Sequence, residues 1–96
     1  MTKLPLKVRI LEYAIEKDAP FTIDELVEKL GPEYKGERFA NYHFMEKLVR
    51  LNTGVNTMEA SKVWYDENGD LKVEYVITDF GKSYERLIPG HKKKNA

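Results

Sequence analysis

Ninety-six residues, 42% hydrophobic and 33% charged, suit one compact domain and are too few for two. No apolar run approaches the roughly 18–20 residues of a membrane span, and "MTKLPLKVRIL" lacks the long apolar core and small-residue end of a signal peptide. The absence of cysteine excludes disulfides, thiolate metal sites and a Cys nucleophile, and it fits the reducing cytoplasm, the expected location.

The formal charge is zero, but Lys92, Lys93 and Lys94 stand within the last five positions. Without them, thirteen basic side chains face sixteen acidic ones, a net of −3. Phosphate contacts supply most non-specific affinity for nucleic acid. Any DNA binding here therefore needs a local basic patch.

Taken in chain order, the first expected helix runs from about Leu4 to Lys17. Pro5 suits its first turn, and Leu4, Val8, Leu11 and Ile15 repeat at helical spacing, with Ile10 and Ala14 widening the stripe. Asp18 to Pro20 ends it. Thr22 and Glu25 form a capping box that opens a second helix, with Ile23, Leu26, Val27 and Leu30 as its buried stripe. Gly31-Pro32 is expected to stop it. A third helix is expected over roughly Gly36 to Asn52. Phasing around Leu48 places Phe44, Met45 and Leu51 on the core face and Phe39, Tyr42, His43, Glu46, Lys47 and Arg50 on the other.

After Val55 the pattern alternates as strands do. Asn68-Gly69 is a strong signal for a type I′ hairpin turn. That turn pairs Trp64 with Val73 and Lys62 with Tyr75, and sets Trp64, Leu71, Val73, Tyr75 and Ile77 against the helices. Val63, Tyr65, Lys72, Glu74 and Val76 then face away. Thr78 caps a last helix with Phe80, Tyr84, Leu87 and Ile88 on one side, and Pro89-Gly90 ends it. The expected class is α+β in the order α-α-α-β-β-α, with a short third strand between the first two helices. Residues 1–90 form the domain and 91–96 a basic tail.

Three helices followed by a hairpin is the order of a winged helix-turn-helix domain. The junction "YVITDFGKSYERL" resembles the Y-x-L-T-x-x-G segment of MarR- and PadR-like regulators, with Tyr75, Ile77, Thr78 and Gly81 at the matching positions. The resemblance covers nearly the whole chain in element order, and this short segment is its one local motif. It implies a small winged helix-turn-helix domain of three helices, a two-stranded β-hairpin wing and a C-terminal helix. The helix 37–51 would read the DNA major groove, and Asp66 to Asp70 would form the wing tip. The turn "GPEYKG" is longer than the usual three or four residues. The tip "DENGD" holds three carboxylates and no cation, and so repels phosphates.

The DNA-binding candidates are Lys35, Arg38, Asn41, Tyr42, His43, Lys47, Arg50, Lys62 and Lys72. Arg reads guanine bidentately and Asn reads adenine. Asn41 falls near the apolar stripe, so a capping or internal bond competes with base reading. Phe39, Tyr42 and His43 have three open readings: folding back under the long turn, packing on a protein partner, or touching thymine methyls and sugars. A homodimer on a two-fold site is expected, held by Phe80, Tyr84 and Leu87 of the last helix or by helix one. The leading function is a DNA-binding transcriptional regulator. The alternative is a protein-interaction module using the aromatic patch. His43 and His91 are the sole histidines and no metal is expected. "DENGD" fails as a calcium loop, because its glycine comes early and Ile77 stands where a bidentate Glu is needed. No phosphate loop, nucleophile triad or paired apolar carboxylates is present, so neither an enzyme nor a cofactor is expected.

Overall fold

The computed structural model describes residues 4–38 and 40–88. It is a small α+β domain: α1 (Leu6–Lys17), β1 (Phe21–Thr22), α2 (Ile23–Leu30), a 3-10 turn (Gly31–Tyr34), α3 (Tyr42–Gly54), β2 (Met58–Tyr65), β3 (Leu71–Ile77), α4 (Asp79–Lys82) and a 3-10 turn (Glu85–Leu87). The antiparallel sheet has the order β1-β3-β2. The short third strand expected between the first two helices is therefore β1. Its Phe21 pairs with Tyr75, and the two rings pack together under the helices.

Local chemistry sets the first helices. Pro5 occupies the N-cap of α1, one residue before the helix and not inside its first turn. Asp18 adopts a left-handed conformation, φ 46°, and returns its N–H to the Ala14 carbonyl to close the helix. Thr22 caps α2 by accepting the Glu25 N–H at 3.1 Å. The reciprocal half of the expected capping box gives way to another bond: the Glu25 carboxylate accepts from the Tyr13 hydroxyl and the Lys17 ammonium, tying α2 to α1. Gly31 ends α2 as expected but keeps a right-handed backbone, so the chain continues into a 3-10 turn. That turn buries Tyr34, whose hydroxyl donates to the Leu4 carbonyl.

The Glu25 contact makes a pH-dependent contribution. Burial alone would raise the Glu25 pKa, but hydrogen bonds from Lys17 and Tyr13 outweigh it and hold the carboxyl below its ordinary value. A depressed folded pKa stabilises the fold above the unfolded value of about 4.3 and loses that contribution as pH falls through the folded value. Glu25→Gln is expected to cost about 1 kcal/mol at pH 7. Thermal melts at pH 6 and pH 3 should show a smaller difference for the variant than for the parent chain.

Three elements of the second half depart from the sequence expectation: the third helix, the hairpin and the last helix. Helix α3 begins at Tyr42, not near Gly36, because Asn41 is its N-cap. The Asn41 Oδ1 accepts the Phe44 N–H at 3.0 Å and its Nδ2 donates to the Arg38 carbonyl at 2.7 Å. The preceding residues are spent in turns, with Gly36 at φ 92°. The core face of α3 is Met45, Val49 and Asn52, with Leu48 half-buried. Phe44 and Leu51, expected inside, are 42% and 55% exposed.

The hairpin register is also shifted by one residue. Tyr65 pairs with Leu71, Trp64 with Lys72, Val63 with Val73 and Lys62 with Glu74. The expected type I′ turn needs positive φ at Asn68, but among the described residues only Gly69 of that pair has it, at 82°. The Asp66 carboxylate organises the connection instead, accepting the N–H groups of Asn68 and Asp70 at 2.9 Å. This favours a longer turn closed by a left-handed glycine. A one-residue slip turns side chains over. Val63 and Tyr65 thus share a face with Leu71 and Val73, while Trp64 joins Lys62 and Lys72 on the other. A bulge at Ser61, between Ala60 and Lys62, restores the alternation so that Met58 pairs with Ile77 in the core.

The last helix is shorter than expected. Thr78 caps it as anticipated, accepting the Gly81 N–H at 2.9 Å. Helix α4 then ends at Lys82, and the Ser83 hydroxyl donates to the Phe80 carbonyl. The expected single apolar face is divided as a result. Ile88 is buried, while Phe80 and Leu87 are exposed and Tyr84 lies edge-on to Phe80. Among the described residues no helix is long and apolar enough to cross a membrane.

Candidate nucleic-acid interface

The buried stripe of α3 fixes its opposite side. Met45, Val49 and Asn52 face inward, so His43, Lys47 and Arg50, spaced four and three residues apart, form one outward stripe. All three are exposed. Asn52 locks this phase: its amide donates to the Leu48 carbonyl at 2.9 Å, and its side-chain oxygen accepts the Thr57 hydroxyl at 2.6 Å. A buried asparagine could not be recognised in the sequence from hydropathy. Its only signal was the Thr57 hydroxyl five residues on.

The stripe lies beside a shallow depression of about 280 Å³ lined by His43, Glu46, Lys47, Arg50 and Leu51. On its other side, a groove of about 430 Å³ separates α3 from the hairpin, with Glu46 and Arg50 on one wall and Val63, Leu71 and Val73 on the other. The Tyr75 hydroxyl beneath is held above its ordinary pKa by burial and by the Glu46 charge, with Arg50 opposing.

The other candidates divide clearly. Lys35 and Arg38 are exposed in the turns before α3 and do not lie on it. Lys35, Arg38, Lys47, Arg50 and Lys62 enter none of the salt bridges found among the described residues. By contrast, Arg9 is held by Glu12 and Glu33, and Lys82 by Asp18. Lys72 is engaged: its ammonium sits 3.3 Å from Asp24 and 4.9 Å from the Tyr42 ring centroid. The Asp24 hydrogen bond raises its pKa. Tyr42 is half-buried against the core and forms the floor for that lysine, so it is not an exposed anchor. Asn41 spends both ends of its amide on the helix cap. His43 is exposed. Phe39, the remaining member of the aromatic group, and the tail 91–96 lie outside the described residues.

Three apolar residues expected inside are exposed instead. Phe44 and Leu51 flank the cationic stripe, and Leu71 lies on the hairpin beside the exposed Val63 and Tyr65. The described residues contain no group of three or more His, Asp or Glu side chains placed to hold a metal ion. No family model, curated protein or solved structure matches this chain.

Proposed function

We propose that this chain is a winged helix-turn-helix domain that binds double-stranded DNA through the exposed face of α3, as a cytoplasmic transcriptional regulator. One observation carries the reading: His43, Lys47 and Arg50 project from successive turns of one helix, and the two cations enter no ion pair among the described residues. Lysine and arginine at that spacing can meet phosphates and guanine edges along a major groove. The element order, with a strand between the first two helices and a hairpin after the third, supports the winged-helix assignment. Lys35 and Arg38 would add phosphate contacts from the turns leading into α3. Lys62 is exposed on the hairpin away from this stripe, and Lys72 is assigned to structure. The acidic tip, Asp66 to Asp70, would stay away from the phosphates. The proposed role is binding, without catalysis.

A second reading rests on a separate observation. The exposed Phe44 and Leu51 beside the stripe, with Val63 and Leu71 across the groove, are apolar in a way that suits a protein partner. Amide NMR shifts on adding a mixed-sequence duplex separate the two. The DNA reading expects His43, Lys47, Arg50 and Arg38 to shift while Glu67, Asn68 and Gly69 stay in place. Shifts confined to the hairpin, or none at low salt, would overturn it.

A further inference from the structure

Among the described residues the sheet order leaves β2 at an open edge, eight residues long and mostly exposed from Glu59 to Tyr65. Such an edge presents unpaired main-chain N–H and C=O groups to any strand that matches them. The Asp66 N–H bonds the Asp70 carbonyl at 2.9 Å and therefore points across the hairpin. Strand alternation then turns the Trp64 N–H toward β3 and those of Val63 and Tyr65 toward the open edge.

We infer that β2 pairs with β2 of a second copy, antiparallel about a two-fold axis at Trp64, joining two three-stranded sheets. The register follows from side-chain chemistry. Centred on Trp64, it sets Val63 opposite Tyr65 of the copy on one face. On the other face, Lys62 lies opposite Asp66 and Trp64 opposite Trp64. Centred on Lys62, it would oppose two lysines; centred on Val63, it would set Tyr65 opposite Ser61 and Lys62 opposite Trp64, with no carboxylate for the lysine. The chosen register explains why Val63 and Tyr65 are 58% and 72% exposed in the single chain: the pairing brings each against an apolar neighbour. It also gives a carboxylate to Lys62, whose ammonium overhangs its own Trp64 ring at 5.6 Å and enters no salt bridge among the described residues. Asp66 has an oxygen left for it, since the two turn N–H groups both bond Oδ1. The inference does not rest on DNA binding and is measured without DNA.

Sedimentation equilibrium should show the apparent mass rising with concentration toward twice that of the 11.2 kDa chain. Val63→Pro removes an outward N–H that β3 does not use, and proline is tolerated at such an edge. It should give a monomer with an unchanged circular dichroism spectrum. Should that variant lose its fold, Lys62→Glu, which opposes Asp66 with a like charge, should lower the association at least tenfold. The chain has no cysteine, so Trp64→Cys adds a single thiol at the two-fold axis. It should cross-link under mild oxidation, whereas Glu59→Cys, beyond the paired segment, should not. A parent chain that stays monomeric at every concentration overturns the inference. So does association that neither Val63→Pro nor Lys62→Glu weakens, or a cross-link that forms equally from position 59.

Discussion

Gly81→Ala is expected to unfold the domain or lower its stability by about 3 kcal/mol or more. A Cβ at position 81 would lie 2.1 Å from the Thr57 carbonyl oxygen and 2.6 Å from the Ile77 Cδ1. The first neighbour is backbone and is not free to move. The Thr57 carbonyl accepts the Thr78 N–H at 3.0 Å, and Thr57 is itself bonded to Asn52 at the end of α3. Relieving the clash would therefore separate α4 from the corner joining α3 to β2. In a domain of this size the melting temperature should fall by roughly 15 °C or more. Gly54→Ala is the control: a Cβ there meets nothing within 4 Å, and its stability should hold or rise by up to about 1 kcal/mol. Thermal melts of the two variants decide the matter. Equal melting temperatures would show that the approach of α4 to Thr57 is not as drawn.

This geometry gives the Y-x-L-T-x-x-G resemblance a physical meaning. Thr78 caps α4 through the Gly81 N–H and also donates its hydroxyl to the Asn56 carbonyl at 2.6 Å. Gly81 leaves room for the Thr57 carbonyl, and Tyr75 and Ile77 point into the core. The spacing thus records how a hairpin's second strand turns into a helix packed against the preceding corner.

The second large effect concerns function. Lys47→Glu with Arg50→Glu should lower duplex affinity by roughly a hundredfold at low salt, because two favourable phosphate interactions become repulsions. Both side chains are exposed on α3 and enter no salt bridge among the described residues. Stability should therefore change by no more than about 0.5 kcal/mol per site. The combination of lost binding and a kept fold is the expected result. Unchanged affinity would remove Lys47 and Arg50 from the interface, even with DNA binding itself intact.

How much of this was readable in the sequence depended on whether the signal was local. Thr22 and Thr78 announced their caps, the alternation after Val55 placed the hairpin, and the short strand at Phe21–Thr22 was anticipated. The start of α3 was misplaced because Gly36 to Ala40 carries residues that a helix tolerates, and Asn41 was weighed as a base reader as well as a cap. The helix phase was then centred on Leu48. The true centre lies nearer Met45, Val49 and Asn52, which turns Phe44 and Leu51 to solvent. Hydropathy cannot show that a buried Asn52 will be satisfied by Thr57. Asn68-Gly69 does not fix the hairpin register by itself, because the Asp66 side chain two residues earlier selects a longer turn. Lys47 and Arg50 survived both errors as exposed residues. Lys72 did not survive as a free cation, because its partner Asp24 lies on an element forty-odd residues away.

The most direct test of the DNA reading is fluorescence anisotropy of a labelled mixed-sequence duplex titrated with the chain across a range of salt concentrations. Binding is expected at low salt, with a log affinity that falls linearly with log salt. The slope should be roughly −2 to −4, the value for a few neutralised phosphates. No binding at the lowest salt, or an affinity that salt does not change, would contradict the assignment of α3 as a DNA-reading helix.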